Sequence, residues 1–255
     1  MAERSLVWFV SDVHLGLRTA DPVEREARFL AFLKGIPRDS LALYLLGDIW
    51  DFWYEYRDVV PREGARVVAE LIALMDAGVQ VYFFPGNHDM WCFSFFESLG
   101  MKRCEQPQLV EIGGKSFCLG HGDGLGGGSL SYRFLNRLFT SRFVQRCFSL
   151  LHPWLAYRMG NGWSGGKREK HDRYRFRGES EPLYKFALEQ SSQVHVDYFI
   201  FGHFHDAVDM ALPSGARLIV LKDWISGGTP HAVFRADTGD LKVILPAPRK
   251  IRLAP

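Results

Sequence analysis

Three short apolar runs, each closed by a polar turn and separated by segments of helical periodicity, constrain this chain more than any other feature. Residues 6–10 (LVWFV), 41–46 (LALYLL) and 79–84 (VQVYFF) are short, uniformly apolar and bounded by turn residues, so they read as buried strands. Between them, residues 23–34 place Phe29, Leu30 and Leu33 on one side. Residues 64–76 place Val67, Val68, Leu71, Ile72 and Met75 at helical spacing. The first third is therefore expected to be β-α-β-α-β, the pattern of a layered α/β sheet.

The remainder departs from that rhythm. Residues 107–120 read as two strands about Gly113-Gly114, and 197–201, 216–221, 231–235 and 241–245 are further strand candidates. Between them, residues 125–180 read as a helical insert. Leu130, Phe134, Leu135, Leu138 and Phe139 keep an i, i+4 rhythm, as do Phe143, Val144, Cys147, Phe148 and Leu151. Charge concentrates there: the insert holds 11 Lys/Arg and 3 acids, so a formal total of +2 hides a basic insert on an acidic body. The near-neutral total gives no ground for a nucleic-acid partner. At 255 residues and 47% hydrophobic, the chain is long enough for one substantial core. A single domain is expected, with 125–180 inserted in it. No run of 18 apolar residues suggests a membrane span. Cys92, Cys104, Cys118 and Cys147 form no CxxC pair and the N-terminus shows no secretory leader. Reduced, buried thiols in the cytoplasm are the expectation.

Five polar motifs stand at the ends of the apolar runs or in the turns after them. They are Asp12-Val13-His14, Gly47-Asp48, Gly86-Asn87-His88-Asp89, Gly120-His121-Gly122-Asp123 and Gly202-His203-Phe204-His205. Turns at strand C-termini are where α/β sheets place ligands. Mixed carboxylate and imidazole donors suit Mn, Fe, Zn or Ni better than Ca. One ion would not use so many donors. Two ions about 3.5–4 Å apart with a carboxylate between them would, and such a pair clamps both oxygens of an in-line displacement at phosphorus. Each motif alone is an ordinary polar turn; their joint occurrence, in this order, is specific.

This order of motifs resembles the calcineurin-like metallophosphoesterase superfamily. The resemblance implies a two-sheet β-sandwich flanked by helices, with a di-metal centre. Carried over by position, Asp12, His14, Asp48 and His205 hold the first ion. Asp48, Asn87, His121 and His203 hold the second, with Asp48 as the bridge; Mn2+ is the expected metal. His88 is then the phosphate-facing histidine. Asp89 is expected to hold its other nitrogen and fix the tautomer, and Asp123 to support a ligand. The stretches SDVHLG, LLGDIWDFWYEY, FFPGNHDMWCF, GHGDGLG, LHPWLAYRMGNGWS, FIFGHFHDAVD and LKDWISGGT narrow the match. They resemble the UDP-2,3-diacylglucosamine diphosphatase group of lipid A synthesis, in which a helical lid lies between GHGD and GHxH. The best-known branch of that group has Arg where His88 stands, so substrate contacts do not transfer directly.

The implied reaction is hydrolysis at the diphosphate, giving UMP and 2,3-diacylglucosamine 1-phosphate. The implied setting is the cytoplasmic side of an anionic membrane leaflet, with no obligate protein partner. The lid residues Asn161, Ser164, Lys167, Arg168 and Lys170, with Asn87 and His88, are expected to line the glucosamine-phosphate side. A phosphoesterase for a soluble nucleotide or phosphoprotein is the alternative, and a non-catalytic scaffold of the same fold the third reading. His152, His171, His195 and His231 match no ligand motif and read as structural. Trp50, Trp53, Trp91 and Phe93 read as packing under the site, and Asp51 as a cap or surface acid.

Overall fold

The computed structural model describes residues 4–19, 21–127, 130–160, 162 and 174–245. The uniformly apolar runs are strands, as their composition dictates: β1 (Leu6–Val10), β2 (Ala42–Leu46) and β3 (Gln80–Phe84). They pair in parallel, joined by α1 (Pro22–Gly35) and α2 (Ala65–Asp76). Asp21 caps α1 by accepting from the Glu24 amide at 3.0 Å, and Pro22 opens the helix with a φ already suited to it. A short α3 (Phe95–Ser98) and β4 (Lys102–Arg103) follow, then the hairpin β5 (Gln108–Ile112) and β6 (Lys115–Leu119).

The insert carries α4 (Leu130–Phe139), α5 (Arg142–Ser149) and a further helix, α6, over 153–160. Its helical character stops short of the expected boundary: residues 174–177 are irregular and Gly178–Ser180 is a 3-10 turn. The chain then forms α7 (Pro182–Gln193), β7 (Tyr198–Phe201), β8 (Val208–Ala211), β9 (Arg217–Val220), β10 (His231–Arg235) and β11 (Asp240–Ile244). The strands form two mixed sheets, in the orders β11-β10-β1-β2-β3-β4 and β5-β6-β7-β9-β8.

Strand alternation builds the layers. Val7, Phe9, Tyr44, Leu46 and Phe84 face the other sheet and meet Phe117, Leu119, Ile200 and Ile219 between the sheets. Val10, Leu43, Leu45 and Phe83 face outward, against Phe29, Leu33, Val67 and Leu71 of α1 and α2. On the second sheet, Phe199, Phe201, Leu218 and Val220 pack on Leu183, Tyr184 and Ala187 of α7. The result is a helix–sheet–sheet–helix sandwich, the fold class the motifs implied. Among the described residues, no helix is long and apolar enough to cross a membrane.

One buried cation is part of this scaffold. Arg25 of α1 is fully buried and donates to the carbonyls of Leu17 (2.6 Å) and Thr19 (3.2 Å). It ties down the loop that leaves His14. Arg25→Ala would orphan these carbonyls and open a cavity. The expected cost is about 2–4 kcal/mol in urea unfolding.

Candidate metal centre

Five strands end on one side of the sandwich, and each turn that follows delivers polar side chains. Asp12 and His14 follow β1, Asp48 follows β2, Asn87 and His88 follow β3, His121 follows β6, and His203 and His205 follow β7. The turns are stitched to each other by the backbone. Asp12 N–H donates to Gly47 O (3.0 Å), His14 N–H to Asp48 O (3.0 Å) and Gly202 N–H to His121 O (2.9 Å).

The backbone bends sharply where the donors sit. Among the described residues, six non-glycine residues have positive φ, and five of them are Asp12, His14, Asp48, His203 and His205. Side chains rarely adopt that region, so the surrounding packing must impose it. Two glycines make the approach possible. A Cβ on Gly86 would stand 2.2 Å from Asp48 Oδ1, and one on Gly202 would stand 2.2 Å from Asp12 Oδ2.

Besides a third set, His14, Asp51 and His88, two groups of donors result among the described residues, sharing Asp48. Asp12, His14, Asp48 and His205 form one; Asp48, His121 and His203 form the other, each with ligand atoms within 4.8 Å of one another. Asn87 sits in the turn after β3, and its Oδ1 is buried without a hydrogen-bond partner among the described residues. The tautomers point the lone pairs inward. His14 Nδ1–H donates to Asp51 Oδ1 at 3.2 Å, leaving Nε2 to face His205 Nε2 at 3.1 Å. His121 Nδ1–H donates to the Leu46 carbonyl at 2.9 Å, leaving Nε2 at 3.2 Å from Asp48 Oδ2, off the hydrogen-bonding line. Buried acceptors facing acceptors are costly unless a cation lies between them. The residues present therefore fit a pair of divalent ions.

The protonation equilibria show the same demand for positive charge. Burial would push the Asp12 carboxyl up, but the hydrogen bond from His205 and the charges of His121 and His205 bring it down to about 2. Burial would push the Asp48 carboxyl up too, yet His121 and His88 hold it well below the usual range. Burial works against the His121 imidazolium, and the Asp48 carboxylate overrides it and holds His121 well above its ordinary value. Burial dominates at His14 and His203, which fall to about 4 and so stand ready as neutral donors.

Two carboxylates take other places than the sequence suggested. Asp89 does not hold the His88 ring. Its fully buried carboxylate accepts from the amides of Gly86 (2.7 Å), Ile49 (2.8 Å), Trp50 (3.3 Å) and Asp48 (3.4 Å), clamping the β2 and β3 turns together. Burial, then the Asp48 charge, raise its carboxyl to about 7. The nitrogen of His88 is held instead by Asp51, whose carbonyl accepts from Nδ1 at 2.8 Å. Asp51 is no surface acid: it is buried, and its carboxylate orients His14. Its position three residues past Asp48 was the available signal, because a metal-binding imidazole needs an acceptor for its other nitrogen. Asp123 accepts from Gln106 Nε2, and Gln106 Oε1 accepts from Gly122 N at 2.7 Å; nothing in the motif set marked Gln106.

Of the remaining expectations, Trp50, Trp53 and Trp91 are buried, while Phe93 is exposed. Cys92, Cys104 and Cys118 are buried, but Cys147 is exposed on α5. The lid residues Asn161, Ser164, Lys167, Arg168 and Lys170, and His171, lie outside the described residues.

The family model for calcineurin-like phosphoesterases matches residues 5–207. The chain belongs to that family. A Porphyromonas gingivalis protein named UDP-2,3-diacylglucosamine hydrolase is 39% identical over 239 residues, 87% of this chain and 91% of that protein. Proteins of the same name from Serratia proteamaculans (30% over 221 residues, 85% and 90%) and Proteus mirabilis (29% over 198 residues, 77% and 80%) are also similar. This calcineurin-like phosphoesterase is thus a metallophosphoesterase, with buried His/Asp groups consistent with the di-metal site of its family.

Asp51→Asn leaves the fold but no longer offers His14 the same acceptor. Mn2+ affinity is expected to fall roughly 10–100-fold, read by metal titration. Gly86→Ala, by pushing on Asp48, is expected to lower bound metal in elemental analysis without unfolding the protein.

Proposed function

We propose that this protein hydrolyses the diphosphate of UDP-2,3-diacylglucosamine, giving UMP and 2,3-diacylglucosamine 1-phosphate. The observation that carries the reading is the insert. It is hung on the same turns that hold Asp51 and His88. Tyr54 donates to Gln145 O (2.7 Å), Tyr56 to Leu151 O (3.1 Å), Trp91 Nε1 to Phe139 O (2.8 Å), and Tyr157 to Tyr54 O (2.6 Å). Its outer surface is apolar for a small helical layer. Of 13 exposed large hydrophobics among the described residues, seven lie in residues 134–159, including Phe134, Phe143 (74% exposed) and Leu150 (85%). A soluble substrate has no use for that surface, whereas burying acyl chains yields about 0.8 kcal/mol per CH₂. Similarity to the Porphyromonas gingivalis hydrolase supports the same reading. Arg137, Arg142, Arg146 and Arg158 are exposed beside these side chains, which suits work at an anionic leaflet.

In this reading Asp12, His14, Asp48 and His205 hold one ion, and Asp48, Asn87, His121 and His203 the other. When bound, the two ions supply Lewis-acid stabilisation of the phosphorus oxygens and an activated water. Mn2+ is the proposed metal. The chain's own groups do the rest. Asp48 spans both groups and sets their spacing. The Asp51 carbonyl fixes the His88 tautomer with Nδ1 protonated. His88 Nε2 is then the nitrogen that gives a hydrogen bond or proton to the oxygen on which charge develops, once the ring is imidazolium. Asp89 keeps the two turns in register and stays out of the chemistry.

Purified protein with Mn2+ is expected to release UMP from UDP-2,3-diacylglucosamine, and far less from the deacylated compound. A rate indifferent to the acyl chains would sink the lipid reading. Asp48→Ala should lose metal and activity together. His88→Ala should retain metal in elemental analysis while slowing turnover by about 10²–10⁴.

A further inference from the structure

The turn that carries His203 and His205 is braced from two sides. On the inner side, the His203 amide donates to Asp12 Oδ2 at 3.0 Å and the Gly202 amide to the His121 carbonyl at 2.9 Å. On the outer side it meets residues 174–177, an irregular strap in the last part of the insert. The Phe176 amide donates to Asp206 Oδ2 at 2.9 Å. Phe204, the residue between the two histidines, has its ring 5.7 Å from that of Tyr174 and 5.8 Å from that of Phe176, the latter edge to face. The same ring lies 5.2 Å from the His203 imidazole. Phe176 and Phe204 both pack on the apolar layer between the second sheet and α7.

The strap is itself fixed. Arg177 forks onto the Glu181 carboxylate through Nε and Nη2, each at 3.1 Å, and its amide donates to the same group at 3.2 Å. The Tyr174 hydroxyl donates to it as well. A forked guanidinium–carboxylate pair sets orientation as well as adding strength. Glu181 is buried and precedes Pro182, the first residue of α7, which packs on β7. The start of the insert is pressed against the same point, since a Cβ on Gly126 would stand 1.9 Å from the Pro182 carbonyl oxygen. The strap is thereby held at one place beside the histidine turn.

His203 and His205 both have positive φ, 71° and 53°. Such a backbone persists only where its surroundings over-determine it. The end of β7 and the Asp12 carboxylate hold the first half of the turn, and the strap meets the second half. We infer that Tyr174, Phe176 and Asp206 are positioning residues of the metal centre. The Phe176 amide on Asp206, and the rings of Tyr174 and Phe176 on Phe204, hold His203 and His205 in the conformation that binds metal. His205 belongs to one donor group and His203 to the other, so the strap acts on both ions at once. Asp51, by contrast, orients His14, a donor of one group. The inference rests on the ligand set proposed above and is independent of the substrate.

The test is titration of the full-length, metal-free protein with Mn2+ by calorimetry, with electron paramagnetic resonance to read the coupled pair of ions. Asp206→Ala and Phe176→Ala are each expected to weaken both ions about tenfold or more, and to lose the coupled signal at Mn2+ concentrations that saturate wild type. Asp206→Asn keeps an oxygen able to accept from the Phe176 amide, so it should restore most of the affinity. Arg175→Ala, exposed on the same strap, should stay within about twofold of wild type. Asp206 is half-buried beside the exposed Ala207, so its variants fold and decide the matter if Phe176→Ala does not. Wild-type Mn2+ affinity in both Asp206→Ala and Phe176→Ala would overturn the inference. Equal losses in Asp206→Ala and Asp206→Asn would overturn it too, because the effect would then be one of charge, as would an equal loss in Arg175→Ala. The two readings fail separately. His203→Ala and His205→Ala that still bind two Mn2+ remove the ligand set, whereas metal loss in those two with the strap variants unchanged removes the role of the strap alone.

Discussion

Carboxylates and imidazole nitrogens crowded together at a largely buried site govern the rest of this structure. Asp12 and Asp48 are almost wholly buried, and ring nitrogens of His14, His121 and His205 are turned toward them. In a low dielectric such a group repels itself unless positive charge is placed inside it. The sandwich holds it together by rigidity. Three parallel strands of one sheet and two of the other end at the same edge, and their turns hydrogen-bond to each other before any side chain is counted. Positive φ at five of the donor residues records the strain this imposes.

The buried carboxylates divide the labour according to what reaches them. Asp89 receives four backbone amides and serves as a clamp between turns. Asp51 receives an imidazole N–H on its carboxylate and another on its carbonyl, so one residue orients both His14 and His88. Asp12 accepts from the His203 amide (3.0 Å) yet keeps an oxygen 3.4 Å from His205 Nε2. Asp12 and Asp48, with lone pairs left over, are the carboxylates of the two groups that share Asp48.

The insert is joined to this centre largely through main-chain carbonyls. Tyr54, Tyr56 and Trp91 reach up from the body and find backbone acceptors in the insert, at Gln145, Leu151 and Phe139. Attachment of this kind constrains the path of the helices and leaves their outward side chains open to variation. The metal centre and the outer surface of the insert are thereby coupled in position and separable in composition.

Much of this was legible in the residues themselves. β1, β2 and β3 are uniformly apolar because both faces are covered, and such runs announce themselves. The donor motifs were legible because only Asp, His and Asn offer those lone pairs. β8 was not, since VDMA is a half-exposed edge strand, nor was α7, which buries only Leu183, Tyr184 and Ala187. The exposure of Cys147 depended on which face of α5 the body covers. Asp89 adjoins His88 in the chain, yet the turn directs its carboxylate into the amides of the neighbouring loop, and Asp51 takes the expected role. Residue type determines which atoms can donate or accept. Which of them face each other is decided by the register between two sheets and by turns held in strained conformations, and that information resides only in the tertiary fold.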